Sequence, residues 1–298
     1  MLPVKMNLPD FVRGRPVYEC LNWLMKNHPE TILPNTEIGS IFGCFPWCIW
    51  NGGGLDRGGE PFMRERMEEF VHFYNFEMHV PIRLTFTNPL ITEEHLNDVY
   101  GNLIAEVCHN GHNEILTSSP VLEDYLRKKY PNYKYCKSII ASRDVAIDLD
   151  DKYDLVVARR AVNNDWAILD TIPNDKRGSI EFLCTDPCPI NCPRIYTHYR
   201  AFARMSLEYT DIDCDSSCSM QEVKGPFQRH YMASLPTTIT REMIDKDYLP
   251  KGFNQFKVSG RGTMSGPVMA VLNYVLKPEY HDDFIVDMLE KQRELLSR

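Results

Sequence analysis

Strand-like and helix-like stretches alternate along most of this chain, and that alternation limits the possible folds more than any other feature. Residues 37–45, 81–87, 114–117, 133–141, 153–158, 179–185 and 253–259 read as strands, rich in β-branched and aromatic residues and bounded by turn signals. Helical patterns occupy 60–77, 92–109, 121–129, 165–172, 194–207, 240–248, 267–276 and 281–296. Thr92 stands where an N-cap is expected. Repeated β-then-α units imply parallel strands with helices outside. Seven strands, with an eighth expected within 209–236, fit a TIM-like (β/α)8 barrel forming a single domain over 1–298. A helix at 11–28 and the one at 281–296 would pack outside it. A doubly wound open sheet is the second choice, and no Gly-x-Gly-x-x-Gly follows a strand to support it.

The composition is that of a globular chain. Of 298 residues, 43% are hydrophobic and 25% charged. No stretch approaches the roughly 18 uncharged apolar residues of a membrane span. The opening Met-Leu-Pro-Val-Lys-Met-Asn-Leu-Pro has no apolar signal core, so the expected address is the cytoplasm. Cysteines in that compartment are not a disulfide scaffold. The formal net charge of -8, with no Lys/Arg run, argues against tight non-specific nucleic-acid binding. A small basic site reading one nucleotide is still compatible with that charge.

Thiols crowd one stretch, Cys184-Thr-Asp-Pro-Cys188-Pro-Ile-Asn-Cys192-Pro-Arg, and Cys214-Asp-Ser-Ser-Cys218 follows. Pro187, Pro189 and Pro193 interrupt any regular helix, leaving a tight loop that can aim several sulfurs at one point. Packing alone rarely clusters cysteines this way, whereas a soft, thiolate-binding metal does. Three readings stay open. A [4Fe–4S] cluster on three or four thiolates is the first. A four-ligand structural zinc, with His198 or His230 as a possible imidazole, is the second. Ordinary buried or loop cysteines are the third. Cys-x3-Cys-x2-Cys is absent, so S-adenosylmethionine chemistry is not expected. Cys20, Cys108 and Cys136 read as core, and Cys44 and Cys48 as packing residues near the rim that could also supply a distant ligand.

In such a barrel the chemistry lies at the C-terminal strand ends, and these are polar here. They carry Cys44 to Gly54, Thr85 to Pro89, Thr117-Ser-Ser119, Arg159 leading to Asn163-Asn-Asp165, Cys184-Thr-Asp186, and Lys257-Val-Ser-Gly-Arg261.

Ser179-Ile-Glu-Phe-Leu183, Cys188-Pro-Ile-Asn-Cys192-Pro-Arg194 with His198-Tyr199, and Gly252-Phe-Asn-Gln-Phe-Lys-Val-Ser-Gly-Arg261 resemble the collagenase-like peptidase superfamily. The similarity is greatest to its short, phage- and gut-microbe-associated relatives. The resemblance spans about 37–280, with its specific motifs in the last 100 residues or so. It implies a TIM-like barrel and a four-cysteine [4Fe–4S] cluster. It also implies oxygen-independent hydroxylation of RNA bases or of a quinone precursor rather than proteolysis. Matched position by position, it makes Cys188 and Cys192 ligands, with Cys218 and Cys214 completing the set. Cys184 falls where an apolar strand residue belongs. Ser259 stands where the family strand has Glu.

The expected function is therefore a cluster-binding barrel enzyme acting by base hydroxylation or sulfur transfer or removal. Its substrate would be a small polar molecule or a nucleobase held by Asn88, Asn163 and Arg261, with Trp47 or Trp50 as a stacking surface. An electron donor and iron–sulfur assembly proteins are the expected partners. An electron carrier with a fully ligated cluster, or a zinc-stapled interaction protein, are the alternatives. No Gly-x-Ser-x-Gly or His-Glu-x-x-His points to a hydrolase.

Overall fold

Eight parallel strands close into a barrel with helices around it, in a computed structural model that describes residues 2–52, 60–141, 147–186, 188, 192–209, 235–262 and 264–296. The strands are β1 Val4–Pro9, β2 Thr36–Gly43, β3 Ile82–Phe86, β4 Glu114–Thr117, β5 Lys134–Lys137, β6 Leu155–Val157, β7 Ile180–Thr185 and β8 Gln255–Val258. Each pairs in parallel with its sequence neighbour, and β8 closes on β1 with Asn7 opposite Lys257. The barrel expected from the β/α alternation is present. Its eighth strand is not where it was expected. The segment 209–236 lies almost wholly outside the described residues, and closure is complete without it. Val4–Pro9 supplies the missing strand.

The helices are α1 Arg15–Asn27, α2 Arg64–His72, α3 Val99–Val107, α4 Pro120–Lys129, α5 Trp166–Leu169, α6 Ile195–Glu208, α7 Arg241–Met243, α8 Ser265–Tyr274 and α9 His281–Leu296. Local sequence sets their starts. Proline fills the first turn of α1 and α4, and Ser119 Oγ accepts from Leu122 N at 3.3 Å to cap α4. The helix expected over 92–109 is two pieces. Thr92 and His95 cap each other around a single 3-10 turn, then the Asp98 carboxylate accepts from Gly101 N and starts α3 afresh. The terminal helices α1 and α9 pack against each other outside the strands. Among the described residues no helix is long and apolar enough to cross a membrane.

Strand alternation separates two environments. Val4, Met6 and Leu8, Ile82, Leu84 and Phe86, Ile180, Phe182 and Cys184, and Phe256 and Val258 belong to the large apolar core shared with the helices. The opposite positions fill the barrel itself and are strongly polar. Arg83 Nε bonds Glu114 Oε2 at 2.6 Å, Arg83 Nη1 bonds Glu181 Oε2, and Arg83 Nη2 reaches Asn7 Oδ1 at 3.3 Å. Ser40 Oγ donates to that same Asn7 oxygen at 2.7 Å. Lys257 adds a second cation, so two positive and two negative groups balance inside the barrel. A small apolar group, Leu116, Cys136, Leu155 and Val157, forms a cluster separate from the main core. Such a buried network is not a net stabiliser over well-packed apolar residues, but losing one member strands its partners at about 3–5 kcal/mol.

Candidate metal and substrate site at the barrel mouth

The turn after β7 begins with an ion pair. Asp186 Oδ1 lies 3.1 Å from Arg160 Nη1 and accepts from Cys188 N at 2.8 Å. The same guanidinium donates to Cys188 O at 2.5 Å. Arg160, only 4% exposed, therefore ties the end of β6 to the thiol turn. Cys188 and Cys192 are both part-exposed, and their thiols lie close enough for their charges to interact. Burial, then the Asp186 carboxylate, pushes the Cys188 thiol up to about 12.

Beside this turn is a cavity of about 290 Å³. It is lined by Ile139 after β5, Arg159 and Arg160 after β6, and Cys192, Tyr196 and Tyr199 at the start of α6. The Arg159 side chain makes no hydrogen bond or ion pair with any described residue. Burial raises the Tyr199 phenol, reinforced by the Asp186 carboxylate. The arrangement joins a soft donor, an unspent cation and two aromatic rings on one wall. Such a cavity suits a small ligand that carries negative charge and a flat ring.

The other expected site residues fare differently. Asn88 is fully buried and fully used. Its amide donates to Ile49 O at 2.8 Å and Ala203 O at 3.1 Å, and its oxygen accepts from Leu90 N, so it splices loops and has nothing left for a substrate. Asn163 likewise donates to Leu183 O and Thr237 O, but its Oδ1 is buried without a hydrogen-bond partner among the described residues. Arg261 donates to Thr85 Oγ1 at 2.7 Å and Asn51 Oδ1 at 3.2 Å. Burial lowers its pKa, the Asp10 carboxylate opposes that shift, and it lies within electrostatic range of Tyr199. Asn88, Asn163 and Arg261 each bond to a different set of partners.

Trp50 is not a stacking surface. It is wholly buried against Phe86, with its indole N–H on His95 O at 3.0 Å. Trp47 packs on Tyr209. Cys44 and Cys48 are buried and hydrogen-bonded to each other, and burial holds the Cys48 thiol well above its ordinary value. Cys184 faces the strand–helix core with no exposure, which removes it from the mouth. Ser259 pairs with Thr185, hydroxyl to hydroxyl, at 3.0 Å. Cys214, Cys218 and His230 lie outside the described residues. Among the described residues no group of three or more His, Cys, Asp or Glu side chains is arranged to hold a metal ion.

Sequence reasoning missed the barrel's internal charges and the Arg160–Asp186 tie. The signal was present: Arg83, Glu114, Glu181 and Lys257 are single charges in four strands, on the faces opposite the apolar ones.

No protein-family model matches the chain, and no curated protein matches its sequence. Among solved structures, the U32 peptidase Mk0906 is similar over 88% of this chain and 95% of that one, at 11% identity and a TM-score of 0.49. U32 is the collagenase-like peptidase family whose motifs the sequence resembles.

Proposed function

We propose that this barrel binds an iron–sulfur cluster on Cys188, Cys192 and thiols of the Cys214/Cys218 segment, and that it is an enzyme acting on a small, anionic or nucleobase-like substrate at its mouth. The observation carrying this reading is that Cys188 and Cys192 lie within electrostatic range of each other in one turn, with Cys192 lining a cavity that also holds the Arg159 side chain. The donor set fits a thiophilic metal. Both thiols leave one turn, they approach each other, and the Arg160–Asp186 tie fixes that turn's backbone.

A cluster held by three thiolates supplies an open iron for Lewis-acid, sulfur or oxygen-transfer chemistry. The chain's own part is to bind and orient. Arg159 would pair with a substrate carboxylate or phosphate, and Tyr196 and Tyr199 would flank a flat ring. An external electron donor and cluster-assembly proteins follow from such a cofactor.

Anaerobic purification of the full chain tests the reading. A brown protein with broad visible absorption, containing iron and acid-labile sulfide, is expected. A colourless protein with one bound zinc, or with no metal, would overturn it.

A further inference from the structure

Lys257 stands apart from the thiol site. It occupies an inward position of β8, opposite Asn7 of β1 and Leu183 of β7. Its Nζ donates no hydrogen bond to any described residue, and the nearest charge is Glu181 Oε1 at 4.0 Å. That oxygen is itself fully buried and has no hydrogen-bond partner among the described residues. Glu181 Oε2 is taken by Arg83, so the carboxylate is split between one satisfied and one open oxygen. On its other side the nitrogen itself stands over the ring of Phe42, 4.0 Å from the centroid. The Lys257 side chain keeps 10% exposure, and Leu183 beside it is part-exposed.

An ammonium ion offers three donors, and burying it with none satisfied disfavours the charged form. Burial is the largest cause here. Arg83 and Arg261 push the same way, Glu181 and Cys136 oppose, and the balance leaves Lys257 down at about 8. An amine that gives up its proton around pH 8, on a barrel strand, beside a carboxylate oxygen with no hydrogen-bond partner among the described residues, is a nucleophile with its proton carrier.

We propose that Lys257 is a carbonyl-reactive amine at the floor of the barrel mouth, condensing with a small aldehyde or keto compound to form an imine, with Glu181 moving the protons. The Nζ lone pair forms the C–N bond while the carbonyl π pair moves to oxygen, and Glu181 Oε1 carries the first nitrogen proton to that oxygen, giving a carbinolamine. It then carries the second nitrogen proton to the departing hydroxyl as the nitrogen lone pair forms the C=N bond. Water leaves, and the imine remains with no net oxidation or reduction. This inference does not depend on the cluster.

The test uses the wild-type full chain with glycolaldehyde in one arm and pyruvate in the other, each with sodium cyanoborohydride at pH 8, followed by peptide mass mapping. With an ordinary lysine titrating near 10.4, Lys257 holds roughly 100-fold more neutral amine at that pH, and trapping there should outpace the exposed Lys152 by a comparable factor. Glu181→Gln, checked for folding by circular dichroism, should slow trapping at Lys257 by at least about tenfold while leaving Lys152 unchanged. A Lys257 left unmodified by both probes, or modified no faster than Lys152, overturns the proposal, whether or not the protein carries iron.

Discussion

Two Cys-x3-Cys segments leave the same rim of the barrel, one after β2 and one after β7, and they end in opposite states. Cys44 and Cys48 are 7% and 4% exposed and satisfy each other. Cys188 and Cys192 stay part-exposed, with Cys192 on the wall of a cavity. The spacing is the same, so the neighbours decide. Phe45, Ile49 and Trp50 draw the first segment into the core, where Trp50 presses on Gly101 of α3. The second follows β7, where Asp186 pairs with the buried Arg160, whose guanidinium also donates to Cys188 O. A thiol pair becomes a candidate metal site when its loop is held open by polar ties rather than pulled in by aromatic anchors.

The largest stability effect should come from removing the prop. Arg160→Met leaves the part-exposed Asp186 carboxylate without its buried partner and should cost about 3 kcal/mol in urea unfolding. A loss under about 1 kcal/mol would mean that the turn holds its shape without the ion pair. Alkylation separates the two thiol pairs directly. In metal-free folded protein, iodoacetamide should modify Cys192 at least about 100-fold faster than Cys44 or Cys48, which must wait for local opening. Equal rates would erase the contrast.

The aromatic anchor can be stressed as well. A Cβ at Gly101 would sit 2.7–2.8 Å from the Trp50 ring, so Gly101→Ala should overpack the β2 segment and cost about 1–3 kcal/mol, read as a lowered Tm. The smallest stability effect belongs to Arg159→Met. With no partner to strand, it should stay within about 0.5 kcal/mol of the parent while weakening the binding of an anionic substrate. A large stability loss would show Arg159 to be structural.

The barrel was legible in the sequence because seven strands alternate cleanly between Pro and Gly breaks. Val4–Pro9 escaped because prolines stand at both of its ends, and because its inward positions, Lys5 and Asn7, serve a polar interior. The polar strand ends were legible in the sequence, but the bonding of each residue there was not. Asn88 looks like a ligand contact in one dimension, yet Ile49 O, Ala203 O of α6 and the nearby Leu90 N consume it. Lone charges within strands read as solvent-facing until closure turns them inward, which is how Arg83, Glu114, Glu181 and Lys257 went unnoticed. Arg159 was visible as a strand-end residue, but its freedom from partners is a property of the folded surroundings alone.

The most direct test compares iron and acid-labile sulfide in two anaerobically purified variants, each first shown to be folded. Cys188→Ala/Cys192→Ala should lose the metal that the parent carries, and Cys44→Ala/Cys48→Ala should retain it. Full iron content in the first variant would contradict the account.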